Sequence, residues 1–354
     1  VIRWPRFTRS KTHRALSAAE REQALRRCLA DLVEGDHARA EAEIVELVRS
    51  DSRDVELYLV LGRMVHDSGD VGRAIRIHQN LLLRADLSPR QRVRALAALA
   101  KDLREGGFLR RALASYEEVR ERTPRDPEVW RSLAELYEEL GEFDQALGAR
   151  DRFAKLAGVE RAERDAWAAR LWLAKARAAH DTGRADEARR AVRKAIARDG
   201  ACARARVMQG RLEAERGRSK QALAAWQAAV GISNELDAEV YPLIGSAFAA
   251  LDRGRDFEKW LRERLDREPA DAGARIALAR CLAERGERTE GIAELRQLLE
   301  NDPAQPAARA LLGRWLLDEG RESEAAVELG QWLAAYERGE LRPAEGGSGE
   351  GAAR

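Results

Sequence analysis

Nine glycines recur at nearly even intervals along this chain of 354 residues: Gly35, Gly69, Gly107, Gly141, Gly183, Gly217, Gly254, Gly286 and Gly320. Their gaps are 34, 38, 34, 42, 34, 37, 32 and 34 residues. A period near 34 predicts helix–turn–helix units, none of which buries its apolar face alone, so that neighbours must stack. Such a stack offers an extended surface rather than a compact catalytic pocket. An ordinary helical bundle shows the 3.6-residue period without the longer one.

With each glycine set at position 15 of its repeat, two further columns of small residues emerge. Position 8 reads Cys28, Gly62, Ala100, Ala134, Ala176, Gly210, Ala247, Ala279 and Gly313. Position 20 reads Ala40, Ala74, Ala112, Ala146, Ala188, Ala222, Lys259, Gly291 and Ala325. Small side chains at these two places let a pair of antiparallel helices cross closely. The glycine at 15 then ends the first helix, where a left-handed backbone costs glycine little. Large apolar residues recur at position 4 (Trp130, Trp172), position 7 (Leu61, Leu99, Leu133) and position 24 (Tyr116, Trp226), and Pro124 and Pro303 stand at position 32. This pattern resembles the tetratricopeptide repeat. It implies an all-α fold, a right-handed superhelical solenoid of about nine helix–turn–helix repeats.

Three irregularities stand out. Before the third repeat, Ser88-Pro89-Arg90-Gln91 reads as a helix start, with an N-cap, a proline at N1 and a glutamine at N3. The 42-residue step predicts a longer connection around residues 157–165. Repeat seven has Lys259 where a small residue belongs, and Trp260 is expected to repack that crossing.

The solenoid is expected over 20–338, with a leader at 1–19 and a disordered tail at 339–354 rich in Gly, Ala and Glu. The leader holds Arg3, Arg6, Arg9, Lys11 and Arg14, no acid, and the aromatics Trp4 and Phe7. Two readings stand for it. One is a juxtamembrane segment following a transmembrane helix upstream of Val1, as the positive-inside rule and the aromatic belt predict. The other is a disordered basic leader. No stretch of 18 apolar residues occurs in the chain.

The net charge of +2 gives no argument for nucleic acid. Cys28, Cys202 and Cys281 form no CxxC pair, and His13, His37, His66, His78 and His180 show no ligand spacing, so no metal or cofactor is expected. Cys28 and Cys281 fall where helices pack inward; buried thiols suit the cytoplasm. No phosphate loop, HExxH or GxSxG motif occurs, so the chain is not read as an enzyme. His78, at position 24, admits two readings, a core imidazole or a contact for a partner.

The first helix of each repeat is expected to present positions 2, 5, 9 and 12 to a concave groove. Position 9 from repeat two onward is Arg63, Lys101, Glu135, Arg177, Arg211, Phe248, Arg280 and Arg314; six of the eight are basic. A basic stripe suits an acidic partner segment. Position 13, however, is acidic throughout: Asp67, Glu105, Glu139, Asp181, Glu215, Asp252, Glu284 and Asp318. Pairing within each helix, each pair contributing about 0.2–0.5 kcal/mol, is the alternative use of the stripe. In repeat seven, Tyr241, Ile244 and Phe248 are expected to face the groove as an apolar patch, docking a partner helix or the tail.

Residues 54–92 go beyond generic repeats. The run Arg73-Ala74-Ile75-Arg76-Ile77-His78-Gln79 and the following Leu-Ser-x-x-Gln-Arg insertion resemble the lipopolysaccharide assembly protein B (LapB) family. The resemblance extends over about residues 20–335, through Ala205–Gly217 and the Trp260 departure. It implies a non-enzymatic adaptor at the cytoplasmic face of a Gram-negative inner membrane, with an N-terminal anchor. Its implied clients are the deacetylase LpxC and the membrane protease FtsH. The family's C-terminal rubredoxin-type zinc module needs two CxxC pairs, which this chain lacks; that puts the protease-adaptor role in doubt and affects a scaffold role less. A tetratricopeptide adaptor for secretion or pilus assembly is the alternative. A third expectation is an enzyme whose catalytic part lies outside this sequence.

Overall fold

The computed structural model describes residues 16–337, apart from 52, 234 and 235. Most of the basic leader and all of the 339–354 tail lie outside the described residues. Within them the chain forms eighteen α-helices and no strand. Successive helices pair antiparallel, from α1 (Ala18–Glu34) with α2 (His37–Ser50) to α17 (Pro306–Asp318) with α18 (Glu322–Glu337). The chain divides into two compact units, residues 1–175 and 176–354. Each is a stack of these pairs.

The small-residue columns are the crossings. The alanines of position 20 from Ala40 to Ala222, and Ala325, are at most 1% exposed, as are Ala100, Ala134, Ala176 and Ala279 of position 8. The approach is close where α15 (Ala272–Glu284) meets α16 (Arg288–Asn301): a Cβ on Gly291 would lie 2.7 Å from the carbonyl oxygen of Ala279. Overpacking a crossing of this kind costs about 1–3 kcal/mol. Position 8 also makes room for position 24. In α3 (Val55–Asp67) a Cβ on Gly62 would strike the His78 ring at 2.4 Å, and in α11 (Ala203–Ala214) one on Gly210 would strike Trp226 at 2.2 Å. In these two repeats the glycine at 8 goes with a ring at 24; in repeat nine Gly313 stands with Leu329, and a Cβ there would meet nothing within 4 Å.

Both long steps lengthen a helix. In the third repeat Ser88 and Gln91 form a capping box, Pro89 is the first helical residue, and α5 runs Pro89–Glu105. The longer connection expected around residues 157–165 is not there. Gly158 closes α8 (Phe143–Ala157) in a left-handed conformation, and α9 begins at Arg161 and continues to Asp181. The extra residues are an added N-terminal stretch of α9, where Trp167 stacks on Phe153 and takes the Arg150 guanidinium over its ring.

Eight of the nine periodic glycines have positive φ, each at the end of a first helix. Gly254 does not; it is the first residue of α14 (Gly254–Arg267). The left-handed residue after α13 (Asp237–Ala249) is Asp252, at φ 54°. Aspartate visits this region more readily than most side chains. Position 15 of repeat seven is therefore Asp252, and the gaps of 37 and 32 residues become 35 and 34. The register of α13 and α14 moves by two residues. The crossing pairs Gly245 with Phe257, whose ring would lie 3.0 Å from a Cβ on Gly245. Lys259 is exposed and stands away from the crossing. Trp260 packs beside Tyr241, Phe248 and Phe257.

The shift makes opposite demands at two glycines. Gly217→Ala forces an alanine into left-handed backbone and is expected to destabilise by about 1 kcal/mol or more. Gly254→Ala should change stability by no more than about 0.5 kcal/mol. Urea unfolding of the two variants checks this; equal losses would restore Gly254 to the series.

Candidate functional site

In the second unit the end of α9 and the first helices α11, α13, α15 and α17 supply an open groove, and the corrected register shows which positions line it. An apolar cavity of 790 Å3 is walled by Pro242, Ser246 and Ala249 of α13 and by Gly273, Ile276 and Arg280 of α15, with Ala307 of α17 at its edge. These are positions 5, 9 and 12 of repeat seven, 2, 5 and 9 of repeat eight, and 2 of repeat nine. Phe257, Tyr241 and Ala277 form the floor. A second, smaller cleft is lined by Arg177 of α9, by Arg204, Val207 and Arg211 of α11, and by Leu236 and Glu239 at the start of α13. These again include positions 2, 5 and 9.

Tyr241, Ile244 and Phe248 do not form the expected groove-facing patch. All three are at most 3% exposed and belong to the apolar core of repeats six to eight. They occupy positions 4, 7 and 11 of the corrected register, where other repeats also place core residues. Tyr241 shows the reason. Its hydroxyl donates to Asp271 Oδ2 at 2.6 Å, and Arg264 Nε donates to the same oxygen at 2.7 Å. Burial, then the bond to Asp271, pushes the phenol well above its ordinary pKa. Asp271 Oδ1 also accepts from Ala274 N and caps α15, so one buried carboxylate ties α13, α14 and α15 together. Only the ring of Tyr241 reaches the groove floor. Cys281 also lines the groove, and Cys28 is buried with its Sγ 3.6 Å from the Ala40 carbonyl oxygen.

The position-9 cations Arg63, Lys101, Arg177, Arg211, Arg280 and Arg314 are all exposed. Pairing with the acid four residues later occurs at Arg63–Asp67, 3.5 Å, and at no other of the six among the described residues. Two of the position-13 acids, Glu139 and Glu215, are instead taken by position 12 of the preceding repeat. Arg104 Nε donates to Glu139 at 2.8 Å, and His180 Nε2 to Glu215 at 2.8 Å; the latter bond raises the imidazole above its ordinary pKa. Glu135 accepts from Arg104 at 2.6 Å, and Arg211 is bonded to Glu239. Neighbouring repeats are thus clipped along the groove. Lys101, Arg177, Arg280 and Arg314 keep no carboxylate partner among the described residues. Exposed Arg–carboxylate pairs contribute little each, about 0–1 kcal/mol; what they settle here is which cations remain free.

The Arg73-to-Gln79 run lies in α4 (Val71–Leu82) and is mostly packing. Ala74 is the crossing, and Ile75, Ile77 and His78 are buried. Arg73 pairs with Glu41 of α2, Arg76 is exposed, and Gln79 is half-buried. His78 takes the core reading. Its Nδ1 lies 2.6 Å from Asp102 Oδ2, and His66 Nδ1 lies 2.9 Å from the other oxygen of the same carboxylate. Asp102 is 2% exposed. No sequence spacing joins these three, because Asp102 sits at position 10 of the next repeat. The signal for the pairing was Gly62, a glycine at position 8 facing a polar ring at 24. Asp102→Ala would strip the buried His78 imidazole of its partner and is expected to cost about 1–3 kcal/mol. Faster amide exchange in α4 and α5 should accompany the loss; unchanged stability would mean that water replaces the carboxylate freely.

An open groove lined at repeating positions by first helices defines a repeat adaptor, which binds other proteins along an extended surface. The chain belongs to the tetratricopeptide repeat family. Family profiles described as tetratricopeptide repeat match residues 25–89, 97–158 and 173–237, more than half of the chain, and a second such profile matches 258–314. Among curated proteins it is similar to lipopolysaccharide assembly protein B of Escherichia coli K12, 26% identical over 241 residues, which is 68% of this chain and 61% of that protein. The same protein of Escherichia coli O157:H7 matches equally. The chain thus spans about three fifths of the length of these relatives. Similar solved structures include a tetratricopeptide repeat protein of Parabacteroides merdae, 14% identical, covering 82% of this chain and 97% of that one with a TM-score of 0.39. Another is the MamA protein, 19% identical, covering 51% and 93% with a TM-score of 0.35. No helix among the described residues is long and apolar enough to cross a membrane.

Proposed function

We propose that the chain is a non-enzymatic adaptor that gathers protein partners in the assembly or regulation of lipopolysaccharide synthesis at the inner membrane. The observation that carries this reading is the match to lipopolysaccharide assembly protein B over two thirds of the chain. The free cations and the apolar groove support a surface that holds protein segments. Residues 1–19, five basic residues with two aromatics and no acid, suit the anionic surface of a cytoplasmic leaflet. The resemblance names LpxC and FtsH as first candidates for partners.

Crosslinking in a Gram-negative host, followed by capture of the tagged chain and mass spectrometry, tests the proposal. Enrichment of lipopolysaccharide-synthesis proteins, LpxC or FtsH among them, is the expected result. Enrichment of secretion or pilus proteins in their place would overturn the pathway and keep the adaptor. Capture of no protein above the untagged control would overturn both.

A further inference from the structure

Within the second unit the two clefts differ in chemistry and meet at α13. Ala238 lines the apolar cavity and the next residue, Glu239, lines the arginine cleft. On one side the walls are small or apolar: Ala238, Gly245, Ala249 and Gly273 allow a partner's backbone to come close, and Phe257 and Ile276 offer apolar surface beneath. On the other side Arg177, Arg204 and Arg211 converge on a cleft where Glu239, already bonded to Arg211, is the single carboxylate among the described residues. Arg177 and Arg204 have no carboxylate partner among the described residues. Arg280, also without one, stands on the wall of the apolar cavity. Like charges that outnumber the counter-charges among the described residues favour an anionic occupant. The cavity volume is that of a site for several side chains.

We infer that these two clefts are one docking site for a protein segment that carries a large apolar anchor next to acidic residues. The anchor fills the space between α13 and α15, and the carboxylates meet Arg177 and Arg204. This rests on the adaptor reading and adds the partner's chemistry and the repeats that read it. In the first unit, by contrast, the Arg104 and Arg94 side chains are bonded to Glu135, Glu139 and Glu56.

Fluorescence anisotropy with the full chain tests this, using three labelled peptides of equal length: alternating leucine and aspartate, leucine and lysine, and serine and aspartate. The leucine–aspartate peptide should bind at least about tenfold more tightly than either of the others. Ala249→Trp fills the cavity from an exposed position, and Arg177→Glu with Arg204→Glu reverses the cleft; each should weaken that peptide about tenfold, with the melting curve unchanged. Should Ala249→Trp disturb folding, Ala307→Trp fills the cavity from the opposite wall. Equal binding of the leucine–lysine peptide, or affinity unmoved in both kinds of variant, would overturn the inference. The crosslinking experiment separates the two claims. Partners captured as well by these variants as by the parent chain overturn the docking site alone, and a parent chain that captures none overturns the adaptor reading.

Discussion

Everything in this molecule hangs on how closely two helices can cross. A repeat of about 34 residues cannot bury its own apolar face, so its stability lies in the crossing within each pair and the contact between pairs. In every repeat but the seventh, where Gly245 faces Phe257, the crossing takes small side chains at positions 8 and 20, and the fully buried alanines there show how little space is left. A glycine at position 8 opens a slot for a ring at position 24, filled by Trp226 in one repeat and by His78 in another. The second choice brings a cost. A buried imidazole needs a partner, and Asp102 supplies it from the following repeat. A local packing choice thereby becomes a link between repeats.

The periodic columns made the helix pairs, their turns and their crossings legible from the residues alone. Ser88 to Gln91 announced its helix correctly because a capping box is local chemistry. Repeat seven was misread for an equally physical reason. A left-handed turn residue is usually glycine, and Gly254 lay nearest the expected place. Asp252 takes that conformation instead, and Gly254 opens the next helix. A shift of two residues on a helix turns the face by more than half a turn. That is why Tyr241, Ile244 and Phe248 are core, and why Ser246 and Ala249 line the groove. Near residue 160 the extra length is helix where spacing alone suggests a connection, because length in a sequence does not say which element takes it up.

The charges of the groove were legible in identity and not in pairing. Arginine at 9 and acid at 13 suggest pairing within a helix. Glu139 and Glu215 reach back to position 12 of the preceding repeat instead, a relation that depends on how repeats stack and leaves no trace in local spacing. Lys101, Arg177, Arg280 and Arg314 at position 9 are exposed and keep no carboxylate partner among the described residues, and the proposed preference for acidic partners rests on them.

Thiol accessibility at Ser246 and Ile244 tests the register most directly. With Cys202 and Cys281 replaced by alanine and Cys28 left buried, Ser246→Cys is expected to react with a maleimide at the rate of an exposed thiol, because Ser246 faces the groove. Ile244→Cys should stay protected in the folded protein, because Ile244 is fully buried. The reverse order, with Ile244→Cys reactive and Ser246→Cys protected, would return the helix to the glycine-based register and remove the apolar groove with it.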